Sequence, residues 1–102
     1  MTDELFLREV KRYVQEIDPQ AEIWLFGSRA RGDAREDSDW DFLIFTQADL
    51  SSGKRWIFSD HLTDLELESG QIISSIVCPK QDKPRYTVTD LYKNVMQEGR
   101  QL

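Results

Sequence analysis

The sequence is poor in the residues that staple secreted chains, bind zinc or cross membranes. It holds one cysteine, Cys78, so no disulfide can form within the chain, and a single thiol suits a reducing compartment. Its one histidine, His61, leaves no Cys/His set for zinc. No positively charged start leads into an apolar stretch, and the apolar runs are far too short to span a bilayer. The expected location is cytoplasmic, with no membrane partner. Basic residues are outnumbered 13 to 19, for a net charge of -6. That balance argues against a general nucleic-acid-binding face and against attraction to an anionic membrane. No internal repeat or low-complexity tract is present. A chain of 102 residues has room for one modest core, so residues 1–102 are expected to form a single domain.

Hydrophobic periodicity orders the chain. Leu5, Phe6, Val10, Tyr13, Val14 and Ile17 recur at helical spacing and predict a helix over 3–17. Thr2 or Asp3 can cap it, and Asp18-Pro19 ends it, because a residue before proline avoids the helical region. Residues 22–26 (EIWLF) and 40–46 (WDFLIFT) read as short buried strands. Between them Ser28 to Arg31 can form one helical turn closed by Gly32. A second long helix is predicted over 54–68, a third strand over 72–77 ending at Cys78-Pro79, a polar loop at QDKPR, and a last helix over 88–98 stopped by Gly99. Helix, strand, strand, helix, strand, helix implies an α/β or α+β domain, a small mixed sheet with helices packed over one face.

The charge is concentrated between the two strands. A glycine after a strand permits a tight turn and close backbone approach, and the N–H groups that follow it at a helix start can hold an anion, with the Ser28 hydroxyl beside them. Gly27-Ser28 alone is also an ordinary turn. Asp39 and Asp41 are two residues apart at the start of a strand, so both side chains point to one face, while Trp40 and Phe42 point to the other. Two like charges held together need compensation, and a hard divalent cation such as Mg²⁺ supplies it. Asp-x-Asp alone is also a pair of solvated acids on a strand edge. Together the two features change the reading. An anion-binding turn at one strand's end and a carboxylate pair on the next would let a triphosphate and a metal ion meet in one cleft, as phosphoryl and nucleotidyl transfer require.

The stretch GSRARGDAREDSDWDFLIF resembles the signature of the nucleotidyltransferase fold of the DNA polymerase beta superfamily, and within it the small, single-domain minimal nucleotidyltransferases of prokaryotes. The matching residues are Gly27-Ser28, Gly32, and Ser38-Asp39-Trp40-Asp41 followed by Phe42-Leu43-Ile44. The resemblance implies that Gly27, Ser28, Arg29 and Ser38 form the nucleotide-binding side. It also implies that Asp39 and Asp41 hold Mg²⁺ and are the catalytic pair, and that Arg29 or Arg31 meets phosphate or a partner. It implies transfer of AMP from ATP to a hydroxyl, on a small all-helical toxin-like protein encoded nearby. Self-association is left open.

The pattern departs from the family in one place. Many members carry a third carboxylate on a later strand, and here that strand is Ile72-Ile73-Ser74-Ser75-Ile76-Val77, with Ser74 or an apolar residue at the matching position. Glu66 or Glu68 could reach in from the preceding helix; the enzyme could work with two carboxylates; or the chain could be a contact-only, antitoxin-like binding module. A nucleic-acid-extending enzyme is opposed by the acidity and by the lack of length for an acceptor domain. The remaining residues have plainer readings. His61 is a half-buried helix residue and Cys78 a structural thiol. Trp24, Trp40 and Trp56 are core or interface aromatics, Tyr86 and Tyr92 core residues, and Lys80, Lys83 and Arg85 a hydrated basic loop.

Overall fold

The computed structural model describes residues 1–102. Helix α1 runs Asp3–Ile17, strand β1 Glu22–Phe26, the one-turn helix α2 Ser28–Arg31, and β2 Trp40–Thr46. Helix α3 follows at Ile57–Ser69 and β3 at Ile73–Pro79. A 3₁₀ turn at Lys80–Asp82 then leads into α4 (Lys83–Tyr86), α5 (Asp90–Glu98) and β4 (Arg100–Gln101). The four strands form one mixed sheet in the order β3-β2-β1-β4. β1 is antiparallel to β2 and β4, and β2 is parallel to β3. This is the expected mixed α/β class, and no helix is long and apolar enough to cross a membrane.

The apolar face of α1 buries Phe6, Leu7, Val10 and Val14 against Ile23 and Leu25 of β1, Trp40, Phe42 and Ile44 of β2, and Phe58, Leu62 and Leu65 of α3. The alternate residues of β2, Leu43 and Phe45, point the other way. They join Cys78 and Val95 in a smaller cluster, with Trp24, Phe26, Tyr86, Leu91 and Tyr92 around it. The two long helices therefore cover one face of the sheet, and α5 covers part of the opposite face over β1. The strand alternation that buries Trp40 and Phe42 leaves Asp41 on the α5 side.

Local chemistry explains the element ends. Thr2 accepts a hydrogen bond from the Leu5 N–H at 3.2 Å and caps α1. Asp18, before Pro19, is extended (φ -143°, ψ 101°). It is also a buried strut: its carboxylate accepts from the Thr46 hydroxyl at 2.7 Å and from the backbone N–H groups of Gln47 at 2.9 Å and Gln20 at 3.0 Å. The structure departs from expectation at several places. α3 starts at Ile57 rather than 54, because Ser52 and Gly53 take positive φ and hold a turn there. β3 extends through Pro79, which an edge strand tolerates. The expected QDKPR loop is instead a 3₁₀ turn and α4, with Pro84 in the first helical turn where its missing N–H costs nothing. The β4 pairing at Arg100–Gln101 was not expected at all.

Candidate active site

The β1–α2–β2 segment brings the charged stretch to one end of the sheet. The backbone leaves β1 at Phe26 and turns at Gly27 with φ 74° and ψ -158°, a region open essentially to glycine alone. The carbonyl of Gly27 accepts from the N–H groups of Ala30 and Arg31, each at 3.1 Å, which forms α2. The first N–H groups of that turn, at Ser28 and Arg29, have no acceptor within the helix. Gly32 closes α2 in the left-handed region (φ 84°), its N–H donating to the Ser28 carbonyl at 3.0 Å.

Register places Asp41 directly opposite Phe26 on β1 and Ser74 on β3. The contact with the turn is close: a Cβ added to Gly27 would lie 2.4 Å from Oδ2 of Asp41. The glycine is thus a cradle for the carboxylate, and any side chain there would occupy its place. Asp39, the residue before Trp40, faces the same side by alternation. The Asp41 carboxyl is held above the usual carboxylate range. Burial is the main cause and the Asp39 charge adds to it, partly countered by Arg31. Neither aspartate is engaged in an ion pair. Asp39 is exposed and Asp41 half-buried. The pair is a set of hard oxygen donors whose negative charge Arg31 offsets only in part, beside free backbone N–H groups. That donor set fits Mg²⁺, which retains waters and completes its shell with substrate phosphate. No third His, Cys, Asp or Glu joins the pair in a metal-binding cluster.

The two arginines of the stretch take different places. Arg29 reaches back over the loop that precedes β2. Its guanidinium donates to the carbonyls of Glu36 at 3.0 Å and Ser38 at 2.9 Å, and lies 4.5 Å from the centre of the Trp40 ring. In this structure Arg29 fixes the approach of the chain to Asp39 rather than facing the turn. Ser38 is part of the same loop, its hydroxyl accepting from the Arg35 N–H at 2.8 Å. Arg31 is the arginine whose charge reaches Asp41. It also meets Asp33 at 3.3 Å and Glu98 of α5 at 3.5 Å. With Phe26, Gly27, Leu91, Asn94 and Glu98 it lines a cleft of about 240 Å³.

Ser74 occupies the β3 position beside Asp41 and is exposed. Neither glutamate of α3 reaches the pair, because α3 packs on the opposite face. Glu66 accepts from the Ile73 N–H at 2.9 Å, and Glu68 lies 3.5 Å from the Tyr13 hydroxyl of α1. The other singled-out residues lie elsewhere. His61 is half-buried, 3.2 Å from Glu16 and packed on Tyr13. Cys78 is buried, its thiol pushed up by burial. Tyr86 and Tyr92 pack edge-on against Phe45. Lys83 of the basic loop pairs with Glu22 at 2.7 Å. Trp56 is the exception among the tryptophans, 58% exposed and outside the core. A roomier cavity of about 460 Å³ lies at the far end of β2 and β3, lined by Thr46, Asp49 and Lys80 among others, away from the aspartate pair.

The profile of the nucleotidyltransferase domain matches residues 7–101. The chain belongs to the nucleotidyltransferase domain family. A candidate protein adenylyltransferase of Methanocaldococcus jannaschii is 38% identical over 80 residues, which is 78% of this chain and 75% of the relative. The fold recurs in a crystal structure of a toxin–antitoxin pair with AMP-PNP, which has TM-score 0.65 and 21% identity over 98% of this chain and 72% of that one. It recurs again in the toxin–antitoxin pair MntA–HpeT, there carrying two aspartate-to-glutamate substitutions, with TM-score 0.66 and 19% identity over 92% and 69%. The chain thus shares its fold with a chain of each of these two toxin–antitoxin structures.

Proposed function

We propose that residues 1–102 are a single catalytic domain that transfers the AMP moiety of ATP to a hydroxyl of a protein partner. The observation that carries the reading is the seat of Asp41 against the side-chain-free Gly27, with Asp39 on the same face. It brings an anion-binding turn and a carboxylate pair to one point. Asp39 and Asp41 would hold Mg²⁺, and the bound ion would supply charge neutralisation for the triphosphate and the leaving pyrophosphate. The N–H groups of the Gly27–Arg29 turn and the Ser28 hydroxyl receive phosphate oxygens. Arg31 adds a cation from the end of α2. The acceptor hydroxyl attacks the α-phosphorus in line and gives up its proton to water, the α–β phosphoanhydride bond breaks, and pyrophosphate leaves with the electron pair.

The donor and acceptor assignments draw on the candidate adenylyltransferase relative and on the toxin–antitoxin complexes, one of them with AMP-PNP. The partner is then a small toxin-like protein encoded beside this one, and the site lies in the cytoplasm. The exposed Ser74 beside Asp41 favours one rival, a contact-only antitoxin that keeps the fold without turnover. Incubation with α-labelled ATP, Mg²⁺ and the neighbouring gene's product tests both. Label on the partner with the native chain and none with Asp39→Asn/Asp41→Asn supports transfer. A tight complex without label supports the rival.

A further inference from the structure

The outer edge of the sheet, at β3, has no part in the chemistry described above. Sheet order gives β3 one neighbour, β2. From Gln71 to Pro79 the chain carries no charged residue, although edge strands are ordinarily blunted by charge against pairing with other chains. The Ile72 carbonyl accepts from the Trp40 N–H of β2. By alternation Ile73, Ser75 and Val77 therefore direct their N–H and C=O groups away from β2. Glu66 of α3 meets this row at one end, accepting from the Ile73 N–H at 2.9 Å. At the other end Arg55, Trp56 and Ser59 line a hollow of about 390 Å³ with Ser75, Ile76 and Val77. Apolar side chains stand exposed along the same border: Ile72, Ile76, Trp56 and, on α3, Leu67 at 80%. Trp56 and Leu67 are about three helical turns apart and so share one side of the helix.

We propose that β3 is a self-association edge, on which a second copy of this chain pairs antiparallel about a two-fold axis at Ser75. The two sheets then join into one. The argument is independent of nucleotidyl transfer. Three features point to a copy of the chain rather than an unlike strand. The register is self-complementary: with Ser75 on the axis, Ile73 of one copy faces Val77 of the other, and the outward N–H and C=O groups of all three residues are in phase to exchange hydrogen bonds. The strand has no charge, so its own image brings no like charges together. The flanking helix is also complementary to its image. α3 runs antiparallel to β3, with Glu66 at the Ile73 end and Arg55 and Trp56 at the Val77 end. The two-fold operation brings Arg55 of each copy to Glu66 of the other, and Trp56 to Leu67. Arg55 is free for this, since it makes no ion pair within the chain and lies over the Trp56 ring at 4.7 Å. The Val77 carbonyl of the incoming copy takes the Ile73 N–H and releases the Glu66 carboxylate to that copy's Arg55. The axis stands normal to the sheet, so both copies present Asp39 and Asp41 on the same face.

Analytical ultracentrifugation of the full chain is expected to show a monomer–dimer equilibrium in the micromolar range. Ser75→Pro removes the outward N–H on the axis, a change an edge strand tolerates, and should leave only monomer. Arg55→Glu and Glu66→Arg each set like charges against each other twice in a dimer, and each should weaken it at least about tenfold. An equimolar mixture of these two variants should restore the dimer. Glu66 of the first then meets Arg55 of the second, and the two introduced charges meet each other. Circular dichroism shows that each variant is folded, and the charge variants decide the matter if Ser75→Pro is not. A native chain that stays monomeric at high micromolar concentration overturns the proposal, including where the neighbouring gene's product protects the Ser75 and Val77 amides from exchange instead. A dimer unchanged by the charge variants, or not restored by mixing them, overturns it as well.

Discussion

Replacing Gly27 by alanine tests the geometry on which the site depends. Two costs arise at that position, and they are separable. The backbone cost comes from φ 74° and ψ -158°, a conformation worth about 1–3 kcal/mol of strain for a residue with a side chain. The steric cost comes from the new methyl, 2.4 Å from Oδ2 of Asp41, where Asp41 must swing away or β1 and β2 must part. Gly32→Ala is the control. Gly32 also has positive φ (84°), but nothing lies within 4 Å of its would-be Cβ, so it bears left-handed strain of about 1–2 kcal/mol and no collision. In a domain of this size 1 kcal/mol moves the melting temperature by about 4–8 °C. Both variants should therefore melt several degrees low, with Gly27→Ala the lower. The difference that matters is in activity. Gly32→Ala should transfer label at a rate close to native below its melting temperature, and Gly27→Ala should fall at least about 100-fold, since misplacing a catalytic group by an ångström can cost that much. Melting curves and label transfer at 20 °C read the two effects separately. A Gly27→Ala chain that melts low but transfers label at the native rate would refute the claim that the carboxylate must sit against the turn.

Two further outcomes follow from the same structure. Asp41 titrates above the usual carboxylate range in the folded chain, chiefly through burial and then through Asp39. The folded state therefore binds more protons than the unfolded one as pH falls, and the charge is a stability cost present above the folded pKa and gone below the unfolded pKa. Asp41→Asn should raise the melting temperature at neutral pH, with the gain shrinking as the pH is lowered through the acid range, and should abolish transfer. Asp18 behaves in the opposite sense. Burial opposes its charge, but hydrogen bonds from Thr46, Gln47 and Gln20 overcome this and hold its carboxyl low. The stability it contributes is present above the unfolded pKa and is lost as pH falls through the folded one. Asp18→Ala should cost about 3 kcal/mol at pH 7 by unpairing buried donors, measurable by urea unfolding, and this cost should diminish in acid.

Much of the fold was legible because its signals are local. The alternation of Trp40-Asp41-Phe42 announced a strand with an acid on the face opposite its aromatic residues, and Pro19 and Gly32 punctuated their neighbours as their backbone preferences require. The misread elements depend on partners distant in sequence. Nothing in Arg100-Gln101 announces a strand; β4 exists because β1 offers a free edge there. The tripeptide around Pro84 reads as a loop until the packing of Tyr86 on Phe45 gives its turn a reason to fold. The same distinction applies at the site. Spacing alone put both aspartates on one face, but it could not separate Arg29 from Arg31. The separation is made by the carbonyls of Glu36 and Ser38 and by the Trp40 ring, which turn Arg29 toward the loop.

That division of labour has a measurable consequence. Arg29→Ala removes hydrogen bonds to two carbonyls and a cation–π contact from the segment that delivers Asp39, at a combined cost of about 1–3 kcal/mol. It should lower the melting temperature and reduce turnover by loosening Asp39. Arg31 is exposed, and its ion pairs with Asp33 and Glu98 are surface pairs of little worth to the fold. Arg31→Ala should therefore melt close to native while weakening ATP, its loss appearing in KM for ATP and in tripolyphosphate affinity alike. If Arg29→Ala left stability intact and weakened tripolyphosphate, the loop-fixing role would be wrong and the two arginines would exchange places in the mechanism. A melting curve and a tripolyphosphate titration on each variant decide between these assignments without any knowledge of the acceptor.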